Sequence, residues 1–415
     1  MKAEIQELIN GYEFVWPAPY CLTARVTRLR IPSDGQVRGE LELRHHNGTQ
    51  DMILLVPTQT NFSSETTRNR YAKNLSEKLD VKIEWREIMD YLSQQVQQLV
   101  RAGDALVEVF PDPNATPPEQ LLEGLIYRGV QNIIFGEKGV CKSTLAYVLA
   151  MCVTLPWHDN PLGLRVPAEG VRVLVLDWET DESIFRYYVS RLQRGMNTPP
   201  CSLYYRRCSL PLTDDIEALQ RHIEATNAQL LIIDSLGAAA GGERGELKGS
   251  ESALLFNTAL RKLKRTSLII AQTRKGDDDK RKTIYGSTYF TYYARNILEL
   301  CAGQDDFGDT QHLALFHREC NLGKKMPSIG LRLTFAEDDG ITLERESVSI
   351  AEFAEKTTMS TRILELLKDG KMSPKDIREQ LGGSYAAISM ALKRLARQKK
   401  VQKIGNEWGL VAPED

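Results

Sequence analysis

Hydrophobic and polar residues alternate with period two over residues 21–31, 37–44 and 51–56, a pattern that predicts half-buried strands. Asn47-Gly48 between the last two is a strong hairpin-turn signal. The period then changes to helical over 63–79 and 85–102. The hydroxyls of Ser63 and Ser64 suit the first amino terminus, and Arg68, Arg70, Lys73 and Lys78 suit either a solvated face or contact with a polyanion. Residues 111–118, Pro-Asp-Pro-Asn-Ala-Thr-Pro-Pro, break every period and read as a stiff linker. From 119 to 345 apolar strand-length runs alternate with helical ones, which predicts βαβ units and a mostly parallel sheet. The expected strands are 132–135, 172–177, 203–206, 230–234 and 267–272, with 296–301 and 312–317 as a later antiparallel extension. Beyond 345, helical runs at 361–367, 374–381 and 384–398 precede 401–404, a Gly405-Asn406 turn and 407–410. Three helices and a hairpin predict a winged helix-turn-helix. The expected organisation is therefore α/β throughout: an amino-terminal α+β domain with its linker over 1–118, a core domain over 119–345, and a linker with the winged helix over 346–415.

Bulk composition changes this picture little. The 415 residues allow two or three domains, and 42% hydrophobic with 26% charged residues is ordinary for a soluble chain. A net charge of −2 excludes a wholly basic nucleic-acid coat but conceals a local excess, since residues 362–403 hold eleven Lys/Arg against four Asp/Glu. Seven scattered cysteines without a Cys-x-x-Cys pair point to a reducing cytoplasm rather than a disulfide framework or a zinc site. No basic-then-apolar leader and no spanning apolar run is seen, so no membrane anchor is expected.

The chemistry concentrates in Gly136, Glu137, Lys138, Gly139, Val140, Cys141, Lys142, Ser143 and Thr144, which follow the strand-like Ile133-Ile134-Phe135 and open a helix-like run. A Gly-rich turn between strand and helix aims backbone N–H groups at a triphosphate, with Lys142 on the β/γ-phosphates and Ser143 on Mg²⁺. ATP with Mg²⁺ is the expected cofactor. Cys141 stands where a glycine normally precedes the lysine; a left-handed backbone there would cost about 1–2 kcal/mol for its Cβ. Its place beside Lys142 near a helix amino terminus also suits a reactive thiol, with a merely tolerated small residue as the plainer account. Four apolar residues ending in Asp234 predict a buried strand that delivers a metal-side carboxylate. A second strand ends in Asp177-Trp178-Glu179, where Glu179 is the candidate to orient or deprotonate water and Asp177 the alternative, unless both acids cap the next helix. Gln272, at a third strand end, can sense the γ-phosphate. The charged loop 275–282 and the Gly-rich loop 237–245 are as compatible with solvent as with a nucleic-acid strand. In the carboxy-terminal block Ser384, Tyr385 and Ser389 lie where base edges are met. Lys393, Arg394 and Arg397 lie farther along the helix and Lys403 on the hairpin, where they suit phosphates.

In this order, with Gly286-Ser287-Thr288-Tyr289 and Asn321-Leu322-Gly323 following, the chain resembles the RecA-like ATPases of the RepA and DnaB helicase superfamily, and among them the RepA-type AAA-family ATPases of mobile elements. The resemblance spans about 119–345 and implies a RecA-like core, a homo-oligomeric ring, commonly a hexamer, and a cationic finger reaching the neighbour's nucleotide. Arg318 best matches that finger, with Lys324 behind it. Glu319, Gln272 and Cys141 depart from the family pattern and bear on hydrolysis rate more than on nucleotide binding. The implied activity is a DNA-binding ATPase of replication or maintenance, a helicase being one form, that meets duplex DNA through the winged helix and single strands through ring loops. A nucleotide-switched regulator or loader that does not translocate is the alternative, and a scaffold that binds ATP without turnover the third reading.

Overall fold

The computed structural model describes residues 2–46, 51–78, 83–103, 106–241, 249–273, 284, 289–303, 308–346, 359–368, 370–382 and 384–411. It divides into two compact units, one of Met1–Thr116 with Asp214–His222 and Arg261–Leu263, the other of the remainder.

In the first unit, β1 (Glu4–Leu8), β2 (Gly11–Trp16), β3 (Leu22–Arg30), β4 (Arg38–His46) and β5 (Asp51–Asn61) form an antiparallel meander in sequence order. Alternation puts Phe14, Trp16, Leu22, Ala24, Val26, Leu41 and Leu43 on one covered face. Two helices, α1 (Glu65–Ser76) and α2 (Trp85–Ala102), complete that core, with Ile88, Met89, Leu92 and Val96 as the buried stripe of α2. Ser64 caps α1 by accepting from Thr67 N. Of the cations named there, Arg68 pairs with Asp90 at 2.7 Å, Arg70 lies over Tyr71, and Lys78, just past the end of α1, donates to Leu54 O.

The second unit opens with a small hairpin, β6 (Gln120–Leu122) and β7 (Ile126–Tyr127), then β8 (Gln131–Gly136) and α3 (Lys142–Thr154). Next come β9 (Val173–Asp177), α4 (Glu182–Gly195), β10 (Tyr204–Arg207), α5 (Leu212–Thr226) and β11 (Leu230–Asp234). The short α6 (Leu236–Ala239), α7 (Gly249–Lys262), β12 (Thr266–Gln272) and the short α8 (Tyr289–Tyr293) follow, then β13 (Asn296–Ala302), β14 (Thr310–Cys320), β15 (Ile329–Phe335) and β16 (Ile341–Glu346). Nine strands make one sheet in the order β10-β9-β11-β12-β8-β13-β14-β15-β16. The first six are mutually parallel and the last three antiparallel. The expected antiparallel extension is thus corrected in one respect: 296–302 lies parallel to β8, and reversal begins only at β14. Helix α3 is buried on nearly every side, as its almost wholly apolar sequence requires of a helix packed at the centre.

At the carboxy-terminal end, α9 (Met359–Leu366), α10 (Pro374–Leu381) and α11 (Tyr385–Arg397) precede the hairpin β17 (Val401–Ile404) and β18 (Glu407–Leu410). Ile363, Ile377, Ile388, Leu392, Leu395 and Val401 form a hydrophobic cluster of their own. Ser373 and Asp376 make a reciprocal capping box on α10, and Met372 bridges to Trp408 of the hairpin. Loop 275–282, Gly286-Ser287-Thr288, Asn47-Gly48 and residues 242–245 of the Gly-rich loop lie outside the described residues, while 237–239 of that loop belong to α6. No described helix is long and apolar enough to cross a membrane.

Candidate nucleotide site

The carboxyl ends of the parallel strands carry the candidate residues, the place where ligands of such sheets bind. Strand β8 ends at Gly136, where a Cβ would stand 2.3 Å from Leu300 O, so no larger residue fits there without displacing β13. The loop turns through Gly139 at φ +89° and reaches Cys141 at φ 57°, ψ 34°. Cys141 is therefore left-handed and carries the steric cost that its Cβ implies. Its Sγ lies 3.2 Å from Gln311 Oε1 on β14. Lys142 then opens α3, whose first turn has no acidic residue to compensate its positive end, as an anion-binding terminus requires.

Lys142 is only 7% exposed, and its Nζ donates to Glu137 O at 2.5 Å. Burial lowers the pKa of its ammonium group, and the nearby carboxylates of Asp234 and Glu179 oppose that shift. Asp234 ends β11 in register with Asp177 of β9. Burial raises its carboxyl to about 6, with Glu179 and Asp177 pushing the same way, while a hydrogen bond from Ser143 and the charge of Lys142 pull it down. Tyr147, one turn into α3, also hydrogen-bonds Asp234, and burial lifts its phenol well above the usual range.

The two acids after β9 have different tasks. Asp177 is 1% exposed; its Oδ1 accepts from Glu179 N at 2.8 Å and Thr180 N at 3.0 Å, and Tyr205 donates to its Oδ2 at 3.3 Å. That carboxylate holds the turn and has little capacity left for a water. Glu179 is exposed, and its Oε1 accepts from Ser235 Oγ at 2.5 Å. Neither acid caps α4, because Asp181 does so, accepting from Ser183 N and Ile184 N. An additional bond from Trp178 N to Asp234 O, 2.7 Å, ties the two strand ends together.

Gln272 closes β12 directly opposite Gly136, exposed, and Thr273 N donates to Gly136 O at 3.1 Å. Arg318 sits near the end of β14, just before Asn321-Leu322-Gly323 and the turn to β15. Its Nε meets buried Glu299 Oε2 at 2.5 Å and its guanidinium lies 4.6 Å from the Phe316 ring centre. Lys324 is exposed on the loop that follows. At α11, the Ser384 hydroxyl is the cap, accepting from Ala387 N, and Arg394 donates to Ser360 Oγ, while both residues are exposed. Tyr385, Lys393, Arg397 and Lys403 are exposed, and Ser389 is half-buried. Met390, at 67% exposure, is the outward residue that the sequence reading passed over.

Three further members of the site were missed. Ser235 orients Glu179, Tyr147 bonds Asp234, and Tyr205 donates to Asp177; the rings of Tyr147, Phe185 and Tyr205 pack in series, with centroid separations of 5.2 and 4.6 Å. A phenol inside the otherwise apolar 145–150 run was the one available signal.

The donor set suits a nucleotide with a divalent cation. Backbone N–H groups of 136–144 and Lys142 would hold phosphate oxygens, while half-buried Ser143 and buried Asp234 would hold Mg²⁺. A buried carboxyl raised to about 6 in the fold against 3.8 unfolded binds more protons when folded. It therefore costs stability as pH rises from about 4 to 6, by about 3 kcal/mol in all. Asp234→Asn should then raise the melting temperature of the nucleotide-free protein at pH 7 and flatten its pH dependence between 4 and 6, while Mg²⁺-dependent nucleotide affinity falls. Calorimetry across that range checks both signs.

Residues 99–278 match the family model of an AAA domain, which spans the loop, both acids and β12. No curated protein matches the chain. Among solved structures, a KaiC-like protein from the hyperthermophilic archaeon Pyrococcus horikoshii aligns at 16% identity and TM-score 0.39, covering 54% of this chain and 93% of that one. The segment matched as an AAA domain covers β8 to β12 of the six parallel strands, with the phosphate loop after β8 and an acid at the end of β11, and the chain carries a nucleotide-binding ATPase domain on a RecA-like P-loop core.

Proposed function

We propose that this chain hydrolyses ATP with Mg²⁺ and couples the nucleotide state to duplex DNA held by a carboxy-terminal winged helix, as a ring of identical subunits serving replication or maintenance of a mobile element. The observation that carries the hydrolytic part is Glu179, a carboxylate held by the residue that follows Asp234 and so fixed relative to the metal-side acid. The DNA part rests on the helix–helix–helix–hairpin order of 359–410 and on the outward Lys393, Arg397 and Lys403. ATP turnover with and without duplex DNA tests the coupling; turnover that DNA leaves unchanged overturns it.

The intrachain pair of Arg318 with Glu299 favours a second reading, a nucleotide-switched DNA-binding regulator or loader. A guanidinium committed to a buried partner must leave it before serving a neighbour, and exposed Lys324 is then the better cation for a trans role. Strand displacement on a forked duplex separates a helicase from a switch. For duplex binding, each phosphate contact removed should flatten the log-affinity against log-salt slope by about 0.9. Lys393→Ala and Arg397→Ala are each expected to do so in full-length protein, measured by fluorescence anisotropy at several salt concentrations. Slopes identical to the natural chain's would move the 359–410 block from DNA to protein docking.

A further inference from the structure

We infer that Gln311 is a positioning residue for the nucleotide site: its side-chain oxygen holds the Cys141 thiol and thereby keeps the last turn of the phosphate loop in its left-handed form. The inference rests on the reading of 136–144 as the nucleotide loop. Cys141 has φ 57° and ψ 34°, and no hydrogen bond from its side chain caps α3. A glycine would adopt this conformation without penalty; a residue with a Cβ needs support from outside. The thiol lies 3.7 Å from Gly139 O and 3.2 Å from Gln311 Oε1, and the closer of these two acceptors is 170 residues away in sequence.

The support comes from a rigid element. Gln311 lies on β14, paired with Leu333 of β15, and β14 is itself paired to β13. Strand β13 seats the other end of the loop, where Leu300 O allows only a glycine at 136. Two adjacent strands therefore brace the loop at its first and sixth residues, and both lie beyond the 99–278 segment that matches the AAA domain. The brace is thus formed by strands far from the loop in sequence. Its effect passes to Lys142, because the dihedrals of residue 141 aim both the first N–H of α3 and the lysine side chain. Displacements of about an ångström at such groups are costly to binding and catalysis.

Titration of the full-length protein with N-methylanthraniloyl-ADP and Mg²⁺ tests this. Gln311→Met keeps size and removes the acceptor, and is expected to weaken binding about 3- to 10-fold, the range of one modest hydrogen bond. Cys141→Ala, which keeps the Cβ and loses the thiol, should weaken it similarly from the other side of the same contact. It supplies the answer even where the Gln311 variant folds poorly. The two changes together should cost no more than either alone, since both delete one interaction. Adding Cys141→Gly to Gln311→Met should restore affinity, because glycine needs no brace. A merely structural role for Gln311 predicts instead a lowered melting temperature with no rescue by glycine. Additive losses, or a Gln311→Met protein that binds like the natural chain, overturn the inference. A natural chain that fails to bind the probe overturns the loop assignment itself.

Discussion

Lys142→Ala is expected to abolish ATP turnover, with a loss in kcat/KM of at least about 10³-fold, the scale for removing a preorganised donor from a site of this kind. The lysine is nearly enclosed and lies close enough to Asp234 and Glu179 for both to oppose the lowering of its pKa. Its removal takes away both the phosphate-side cation and the positive charge that moderates a cluster of buried acids. Nucleotide affinity should fall with turnover. The melting temperature of the nucleotide-free protein should change little, because the burial that disfavours the ammonium group is opposed by the acids that favour it. Fluorescent-nucleotide titration and a phosphate-release assay on one preparation settle the matter. Unchanged affinity and turnover would remove 136–144 from the site.

Glu179→Gln carries the second large effect. A group that positions or deprotonates water contributes about 10²–10⁴-fold, so kcat should fall by that range while nucleotide affinity stays within a few-fold. Ser235→Ala should give a smaller version, about tenfold in kcat, because the serine hydroxyl holds the carboxylate rather than reacting. Ser235→Thr, which keeps the hydroxyl, should recover most of it. Asp177→Asn is the informative contrast: with two backbone N–H groups on its Oδ1, its loss should appear first in thermal stability. A glutamine variant at 179 with natural kcat would assign hydrolysis elsewhere.

Local signals made much of this legible. The strand, loop and helix around 136–144 are contiguous, and α2 begins and ends where its apolar stripe does, at Trp85 and Ala102. Strand β1 is mostly exposed and shows no alternation, but β1–β2 and β15–β16 were open to recognition from the Asn10-Gly11 and Asp339-Gly340 turn signals between them. The direction in which β13 pairs is a tertiary property that hydrophobicity alone does not encode. The same limit applies within the site. Ser235 and Glu179 are 56 residues apart and Cys141 and Gln311 are 170 apart, so no spacing rule could join them. Arg318 shows the converse case, since a motif position identified the residue but could not reveal that buried Glu299 holds it in the same chain.

The position of β8 in the sheet has a consequence for biosynthesis. It is the first strand of the core to leave the ribosome, yet its neighbours are β12 and β13. Until residue 302 has emerged, the strand that carries the phosphate loop lacks one of its two flanks, and Gly136 has no Leu300 carbonyl to rest against. Long-range parallel pairing of this kind is slow and leaves apolar strand edges open meanwhile. A nascent chain stalled near residue 278 should therefore not retain nucleotide, even though it contains the loop, both acids and Gln272. ATP capture would then mark the completion of β13 during translation, and a chain released too early would expose β8 as an unprotected edge for chaperones.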